Sequence, residues 1–272
     1  MKYLYDDVSN KISKIITNQY STSFSFSSRL LGQNIRPAIY SIYGLVRLAD
    51  EIVDSFHGYE KEAMLAELRE EYNKSIQRKI SINPVLNSFQ KVYHDYNFEP
   101  YLVDKFFDSM AMDLKPKDYN KSLYNQYIHG SAEVVGLMCL KVFCDEREYE
   151  KLEEYAISLG SAFQKVNFLR DMKSDFEERG RVYFPGVKFD TFSETDKKNI
   201  EKDIANDFNN ALIGIKMLPK VARSGVYLSY KYYLELLDKI KSKDSSTIKT
   251  ERVRVSNIKK FMIFVGTYLN PA

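Results

Sequence analysis

Apolar residues in this chain recur at intervals of three and four residues, and this spacing limits the fold more than any other feature. It runs through residues 65–72 and 152–166, where it places the apolar side chains on one face of a helix. Strand-like alternation is rare, and the sequence contains no Asn-Gly or Asp-Gly hairpin turn. The spacing therefore predicts an all-α protein. The predicted helices cover residues 3–19, 36–55, 59–79, 84–95, 99–113, 119–143, 147–177, 193–218, 220–241 and 253–269.

These helices are expected to form a single domain over residues 1–272. Glycine and proline are scarce and fall mostly between the periodic segments, with one of the expected breaks near Pro116. The sequence contains no internal repeat, low-complexity tract or long linker. In helical bundles of this kind, ligand sites are built from side chains on facing helices.

Composition and charge narrow the class of protein. The chain is 44% hydrophobic and 28% charged, as in a soluble globular protein, and its net charge of +3 does not indicate a nucleic-acid partner. The first residues lack a signal-peptide pattern, and the most apolar stretch, residues 261–269, is too short to span a bilayer. We therefore expect a cytoplasmic protein, with peripheral membrane contact left open and no prediction of oligomeric state.

Cysteine and aromatic content each allow two interpretations. Cys139 and Cys144 lie in an apolar stretch, which favours reduced, buried thiols over a disulfide or a metal site. The 21 tyrosines and 17 phenylalanines favour an aromatic core. The alternative is an aromatic-lined cavity whose ring faces stabilise a carbocation.

Two pairs of aspartates have the spacing of neighbours on a helix face. Asp50 and Asp54 form the first pair, and Asp171 and Asp175 form the second. Like charges four residues apart repel on a helix, so a bound cation would explain the arrangement. Mg²⁺, with Mn²⁺ as the alternative, suits such carboxylates and usually also binds substrate phosphates. The pairs therefore predict a metal–diphosphate site.

Both pairs belong to longer polar stripes. Arg47 precedes the first pair on the same stripe, and the structural alternative is that it simply pairs with Asp50 on a solvated face. Gln164 and Asn167 precede the second pair at the same helical angle. Amide and carboxylate oxygens on one stripe suit a metal–diphosphate site, and an exposed polar face is the alternative.

Four segments carry a more specific pattern. They are the Ser-Phe segment at residues 20–25, the first aspartate motif at 43–54, the stretch 127–136, and the long run 159–185 that ends in Arg181-Val182-Tyr183-Phe184-Pro185. Together these segments resemble the squalene/phytoene synthase family, most closely its bacterial phytoene synthases. The resemblance extends from about residue 15 to residue 265.

The resemblance implies an isoprenoid-synthase-type helical bundle around a central cavity. It also implies a prenyltransferase that joins two geranylgeranyl diphosphates head to head. The implied product is phytoene, formed through a cyclopropyl diphosphate with Mg²⁺ and without NADPH. One alternative is a C30 enzyme that makes dehydrosqualene or squalene from farnesyl diphosphate, and the latter product requires NADPH. The other alternative is a non-catalytic helical scaffold.

The resemblance further assigns roles to individual residues. The metal ligands it implies are Asp50, Asp54, Asn167, Asp171 and Asp175, and Tyr127 joins the four aspartates as a catalytic residue. The substrate-binding residues it implies are Ser23, Phe24, Tyr43, Arg47, Gln164, Asn167, Arg170, Arg181, Tyr183, Tyr233 and Arg252. Arg170 has the alternative role of a structural partner. The basic residues Arg252, Arg254, Lys259 and Lys260 are expected either to bind phosphate or to form a solvated face.

Three residues depart from the family pattern. Glu133 replaces a common glycine, and Glu51 replaces a common aspartate in the first motif, where its longer side chain makes it the weaker candidate ligand. His129 stands where many members carry an aromatic residue. We interpret His129 as a ring-for-ring replacement, with a proton donor or acceptor beside the diphosphate as the alternative.

Overall fold

The computed structural model describes residues 1–115 and 119–270, and this part of the chain is helical without a strand. The predicted all-α class is thus confirmed, whereas the break expected at Pro116 lies outside the described residues. The helices are α1 (Lys2–Tyr20), α2 (Thr22–Arg29), α3 (Arg36–Ser55), α4 (Lys61–Arg78), α5 (Pro84–Asp95), α6 (Pro100–Met112), α7 (Lys121–Ile128), α8 (Val134–Phe143), α9 (Glu146–Arg179), α10 (Glu194–Met217), α11 (Lys220–Lys241), α12 (Ser245–Ile248) and α13 (Asn257–Leu269).

The predicted boundaries of α3, α5 and α11 agree with the structure, whereas no helix was predicted at the short α12. Three further predictions were wrong. Helix α2 was missed because its sequence is rich in serine and threonine, which carry little apolar periodicity; Ser21 caps it by accepting the Phe24 amide at 3.1 Å. The predicted helix 119–143 is divided by a π-helical turn, His129–Glu133. The last helix begins only at Asn257, behind the Ser256 cap.

Helix α9 is the long central element that carries the second aspartate pair. Asp145 caps its start, and Gly180 ends it with a φ of +62°, a conformation that favours glycine. Lys165, in the middle of α9, is only 9% exposed and donates to Asp203 at 2.5 Å and Asp207 at 2.7 Å on α10. This ion-pair network, in which Lys165 is buried and Asp203 is 60% exposed, joins α9 to α10.

The π-helical turn packs closely on α9. A Cβ atom placed on Gly160 of α9 would lie 2.8 Å from the carbonyl oxygen of Ala132 in the turn. A Cβ atom on Gly130 in the turn would lie 2.3 Å from the carbonyl oxygen of Lys105 on α6. Glycine therefore allows three backbone segments to approach one another beside the cavity described below.

The buried side chains form two clusters. The first is centred on α3, α5, α6 and α8, and the second on α9, α10 and α11. Cys139 and Cys144 are free and only partly buried, in agreement with the prediction of reduced thiols. No described helix combines the length and the apolarity that crossing a membrane requires.

Candidate active site

A cavity of about 960 Å³ lies between α2, α3, α8, α9, α10 and α11, and residues 252–257 and Lys260 complete its wall. Most of its side chains are apolar. In the described part of the chain, its charged lining is entirely cationic: Arg170, Arg252, Arg254 and Lys260. An apolar cavity with cationic groups suits a ligand that has a long apolar body and an anionic group.

Two of these cations bind one carboxylate of the second aspartate pair. Asp171 accepts from Arg170 Nε at 2.9 Å and from Arg252 Nε at 2.7 Å. The pKa of Lys260 is lowered, mainly because the side chain is buried and also because the positive charge of Arg170 acts on it. Asp175 also acts electrostatically on Arg170, so carboxylates and cations lie side by side at this end of the cavity. The cations in the lining suit an anionic group of a ligand.

The polar stripe on α9 is held in place by neighbouring hydroxyl and amide groups. Asn167 Nδ2 donates to Gln164 Oε1 at 3.4 Å, and the Tyr233 hydroxyl donates to Asn167 Oδ1 at 3.3 Å. Asp175 lies one turn beyond Asp171 and is 8% exposed. The hydrogen bond from Tyr233, which itself lines the cavity, joins the stripe to the cavity wall.

The first aspartate pair lies on α3 beside an arginine with several partners. Arg47 makes its closest ion pair with Glu51, and its guanidinium is 4.0 Å from Asp50. The same guanidinium lies 4.4 Å from the centre of the Tyr20 ring. Although burial acts in the opposite direction, hydrogen bonds from Arg47 and Ser55 lower the pKa of Glu51. Glu51 is thus engaged as the partner of Arg47, whose side chain is 24% exposed.

Tyr43 lies on α3 with the first aspartate pair, and Tyr233 lies on α11 next to the polar stripe of α9. Burial raises the pKa of Tyr43 to about 12, and the charge of Asp50 and the nearby Tyr233 act in the same direction. Tyr233 also interacts electrostatically with Arg170, which is bound to Asp171. The two aspartate-bearing helices therefore approach the same pair of tyrosines, as expected if they form facing walls of one site.

The donor atoms of these helices fit a hard divalent cation. Asp50, Asp54, Asp171, Asp175 and Asn167 offer oxygen ligands alone, which Mg²⁺ prefers. Within residues 1–115 and 119–270, no three or more His, Cys, Asp or Glu side chains are gathered to hold a metal. Mg²⁺ commonly uses only one or two carboxylates together with substrate phosphates, so paired carboxylates suit an ion that binds with a diphosphate.

Aromatic rings form much of the cavity wall. Phe24 stacks on Tyr43 with ring centres 4.6 Å apart, and Phe163 stacks on Tyr233 at 3.9 Å. Ser23, which was predicted to bind substrate, also lines the cavity. The structure thus brings Ser23, Phe24, Tyr43 and Tyr233 together as cavity-lining residues, and it adds Phe163, whose helical spacing had indicated only a core position.

Tyr127, Arg181 and Tyr183 meet elsewhere, around the buried Asp113. Arg181 donates to Asp113 at 2.7 Å, and both side chains are at most 5% exposed. Asp113 also accepts the Tyr127 hydroxyl at 2.7 Å and the Tyr183 hydroxyl at 3.4 Å. None of these three predicted residues is among the side chains that line the cavity. The same is true of Arg47, Gln164, Asn167 and the four aspartates, of which Asn167 and Asp171 bind lining residues. Asp113 could not be found from the sequence, because its arginine partner is 68 residues away along the chain.

This buried network adjoins the second aspartate pair. Burial is the main cause of the raised pKa of Tyr183, and the charges of Asp113 and Asp175 add to it. The Tyr183 ring stacks on Phe168 of α9 at 4.1 Å. The network therefore fixes the segment after α9 against the helix end that carries Asp175.

The two unusual residues of the π-helical turn bind each other. His129 Nδ1 lies 2.9 Å from Glu133 Oε2, and the Ser161 hydroxyl donates to the other oxygen of Glu133. Neither His129 nor Glu133 is among the cavity-lining side chains, whereas their neighbour Ser131 is. This placement favours the interpretation of His129 as a structural replacement.

An all-α bundle around an apolar cavity with a cationic lining is typical of the isoprenoid-synthase-type fold. The family model described as "Squalene/phytoene synthase" matches residues 17–197, more than half of the chain. The chain therefore belongs to the squalene/phytoene synthase family.

Curated relatives and solved structures agree with this membership. The chain is 28% identical to the chloroplastic phytoene synthase of Narcissus pseudonarcissus over 95% of its length and 30% identical to that of an Oncidium hybrid cultivar over 93%. It spans only 65% and 66% of those two proteins. It is 23% identical to the 4,4'-diapophytoene synthase of Staphylococcus haemolyticus, with 92% of each chain covered.

Two solved structures share the fold. A dehydrosqualene synthase bound to a ligand has a TM-score of 0.84 at 19% identity, with both chains fully covered. The squalene synthase HpnC of Alicyclobacillus acidocaldarius has a TM-score of 0.76 at 18% identity, with 88% of this chain and 95% of that chain covered. At these identities the likeness supports the helical architecture alone.

Proposed function

We propose that this protein is a prenyltransferase that joins two allylic prenyl diphosphates head to head and releases diphosphate. The observation that carries the proposal is the polarity of the cavity, whose apolar walls end at Arg170, Arg252 and Lys260. A prenyl diphosphate has the matching shape and charge, with a hydrocarbon chain and an anionic end. Membership in the family supports the same reaction.

The proposed metal site comprises Asp50, Asp54, Asn167, Asp171 and Asp175, with Gln164 orienting Asn167. Bound Mg²⁺ would supply charge neutralisation for the leaving diphosphate. Arg170 and Arg252, which bind Asp171 in this structure, are placed to transfer hydrogen bonds to diphosphate oxygens. Such preorganised donors act where negative charge develops as the carbon–oxygen bond breaks.

The aromatic walls would then protect the hydrocarbon cation. In the first step, the allylic carbon of one substrate loses diphosphate and bonds to the double bond of the second substrate, and loss of a proton closes a cyclopropane ring. In the second step, the cyclopropyl diphosphate loses its own diphosphate, rearranges and loses a proton to give the hydrocarbon. The ring faces of Phe24, Tyr43, Phe163 and Tyr233 stabilise positive charge. Their packing also excludes water that would capture the cation. In this proposal, Arg47 orients the carboxylates of Asp50 and Glu51 through its ion pairs with them.

We further propose geranylgeranyl diphosphate as substrate and phytoene as product, formed without NADPH. The two chloroplastic phytoene synthases are 28% and 30% identical to this chain, compared with 23% for the diapophytoene synthase. The second candidate is a C30 product from farnesyl diphosphate. The nearly complete mutual coverage with the diapophytoene synthase favours it.

Product analysis separates these candidates. Purified protein with Mg²⁺ is incubated with geranylgeranyl or farnesyl diphosphate, with and without NADPH, and hydrocarbons are identified by mass spectrometry. The expected result is phytoene from the C20 substrate, unchanged by NADPH. A C30 hydrocarbon alone would overturn the substrate assignment, and no hydrocarbon from either substrate would overturn the proposed reaction.

A further inference from the structure

The last described helix, α13, is apolar on the side that faces solvent. Ile258, Phe261, Met262, Val265 and Leu269 follow one stripe of the helix, and they are 75%, 55%, 56%, 37% and 68% exposed. They occupy positions i, i+3, i+4, i+7 and i+11, which is the spacing of one helix face. We call these five residues the outer face of α13.

The opposite side of α13 is already packed on the protein. Thr267 is fully buried, and Phe264 packs on Phe26 of α2 with ring centres 5.5 Å apart. The Tyr232 hydroxyl of α11 donates to the backbone carbonyl of Lys260 at 3.0 Å. The helix is therefore apolar on both sides, and a helix of that kind is normally buried on both sides. The outer face lacks such cover in the described chain.

The charges around α13 indicate what covers it. The stretch from Arg252 to the end of α13 contains four cations and no carboxylate, and of these Arg252, Arg254 and Lys260 also line the cavity. Arg254 is exposed, and Lys259 is 43% exposed although it lies 3.3 Å from Glu235. Exposed aromatic and aliphatic side chains next to cations, without acidic residues, are typical of helices that lie in the interface of an anionic membrane.

The position of α13 relative to the cavity agrees with this partner. Ser256, Asn257 and Lys260, at the start of α13, line the cavity, and the outer face begins at Ile258. A bilayer on the outer face would therefore lie beside the cavity wall. We infer that the outer face of α13 docks this protein on the surface of an anionic lipid bilayer, with Phe261, Met262 and Val265 inserted among the lipids.

Vesicle sedimentation tests this inference without reference to turnover. The full chain is mixed with vesicles of phosphatidylcholine, alone or with phosphatidylglycerol, at low and high salt. The test variant is Phe261→Gln/Met262→Gln/Val265→Gln, because glutamine favours helix and the three side chains face away from the protein. The control is Ile213→Gln/Met217→Gln on α10, which removes two apolar side chains that are also half exposed.

We expect the wild type and the α10 control to sediment with the anionic vesicles, less strongly at high salt because the Debye length shortens. The partition coefficient of the α13 variant should fall about tenfold or more, since three side chains lose their transfer from water into lipid. Circular dichroism checks that each variant is folded.

Three results would overturn the inference. They are equal sedimentation of the wild type and the α13 variant, equal binding to neutral and anionic vesicles, and no binding of the wild type to either. Light scattering tests the other occupant of the outer face. If the wild type is a dimer that the α13 substitutions dissociate, a second copy of the chain covers the face and the inference is wrong. Failure of the proposed reaction would leave all these readouts unchanged, because none of them requires substrate.

Discussion

Arg181 has a structural role in the buried Asp113 network, whereas the family resemblance implies that it binds substrate. The substitution Arg181→Met separates these roles. It removes one partner of an ion pair whose two side chains are 4% and 5% exposed, and it leaves the Asp113 carboxylate buried. Loss of one partner of such a pair costs about 3–5 kcal/mol in the free energy of unfolding. Because domains are commonly stable by about 5–15 kcal/mol, the variant should still fold.

Urea unfolding followed by circular dichroism measures this cost. The matched control is Arg69→Met, which breaks an exposed interhelical pair with Asp104 and Asp108 and should cost no more than about 1 kcal/mol. The double variant Asp113→Leu/Arg181→Met should lose less stability than the sum of the two single variants, because no buried charge remains. If Arg181→Met changes stability by less than about 1 kcal/mol but lowers kcat/KM, the structural role is refuted.

Three further predictions concern the cavity and its supports. Gly160→Ala should lower the free energy of unfolding in urea by about 1–3 kcal/mol, because the new Cβ atom would lie 2.8 Å from the π-helical turn. The control Gly266→Ala on α13 places its Cβ atom in open space and should not destabilise the protein. Equal effects of the two substitutions would contradict the close packing at Gly160. Burial raises the pKa of Tyr43 to about 12, so the neutral phenol is the form that the folded state favours. Its contribution to the free energy of unfolding should be fully present below about pH 10 and lost as the pH rises through about 12. The phenolate difference spectrum between the wild type and Tyr43→Phe should therefore show a midpoint near pH 12, and one near 10 would contradict its burial. Arg252→Gln should lower kcat/KM about tenfold or more because a charge-assisted contact at the Asp171 end is lost, and unchanged kinetics would exclude Arg252 from substrate binding.

The helices could be predicted where local signals agreed. Helix α3 combines an apolar middle with Pro37 in its first turn, and its predicted boundaries match the structure. Helix α2 could not be predicted because its buried residues include Ser25, Ser27 and Ser28, which leave no apolar pattern in the sequence. The hydroxyls of Ser25 and Ser28 are satisfied by hydrogen bonds. The π-helical turn was also missed, since no regular spacing marks a single wide turn.

The candidate site was predictable where it lies on one helix. The stripe from Gln164 to Asp175 follows directly from helical spacing, and the structure joins it to the cavity through Tyr233. Contacts between distant segments could not be read in this way. The pairing of Asp113 with Arg181 and the packing of Phe163 on Tyr233 depend on how the helices meet in three dimensions.

The two aspartate helices are proposed to form one site that couples prenyl diphosphates. The most direct measurement is hydrocarbon formation and diphosphate release by the wild type, Asp50→Ala and Asp171→Ala at saturating Mg²⁺, with circular dichroism as the check of folding. Both variants should keep the helical spectrum and lose turnover, since each removes an oxygen ligand from one wall of the proposed metal site. Full turnover in both variants would contradict the claim.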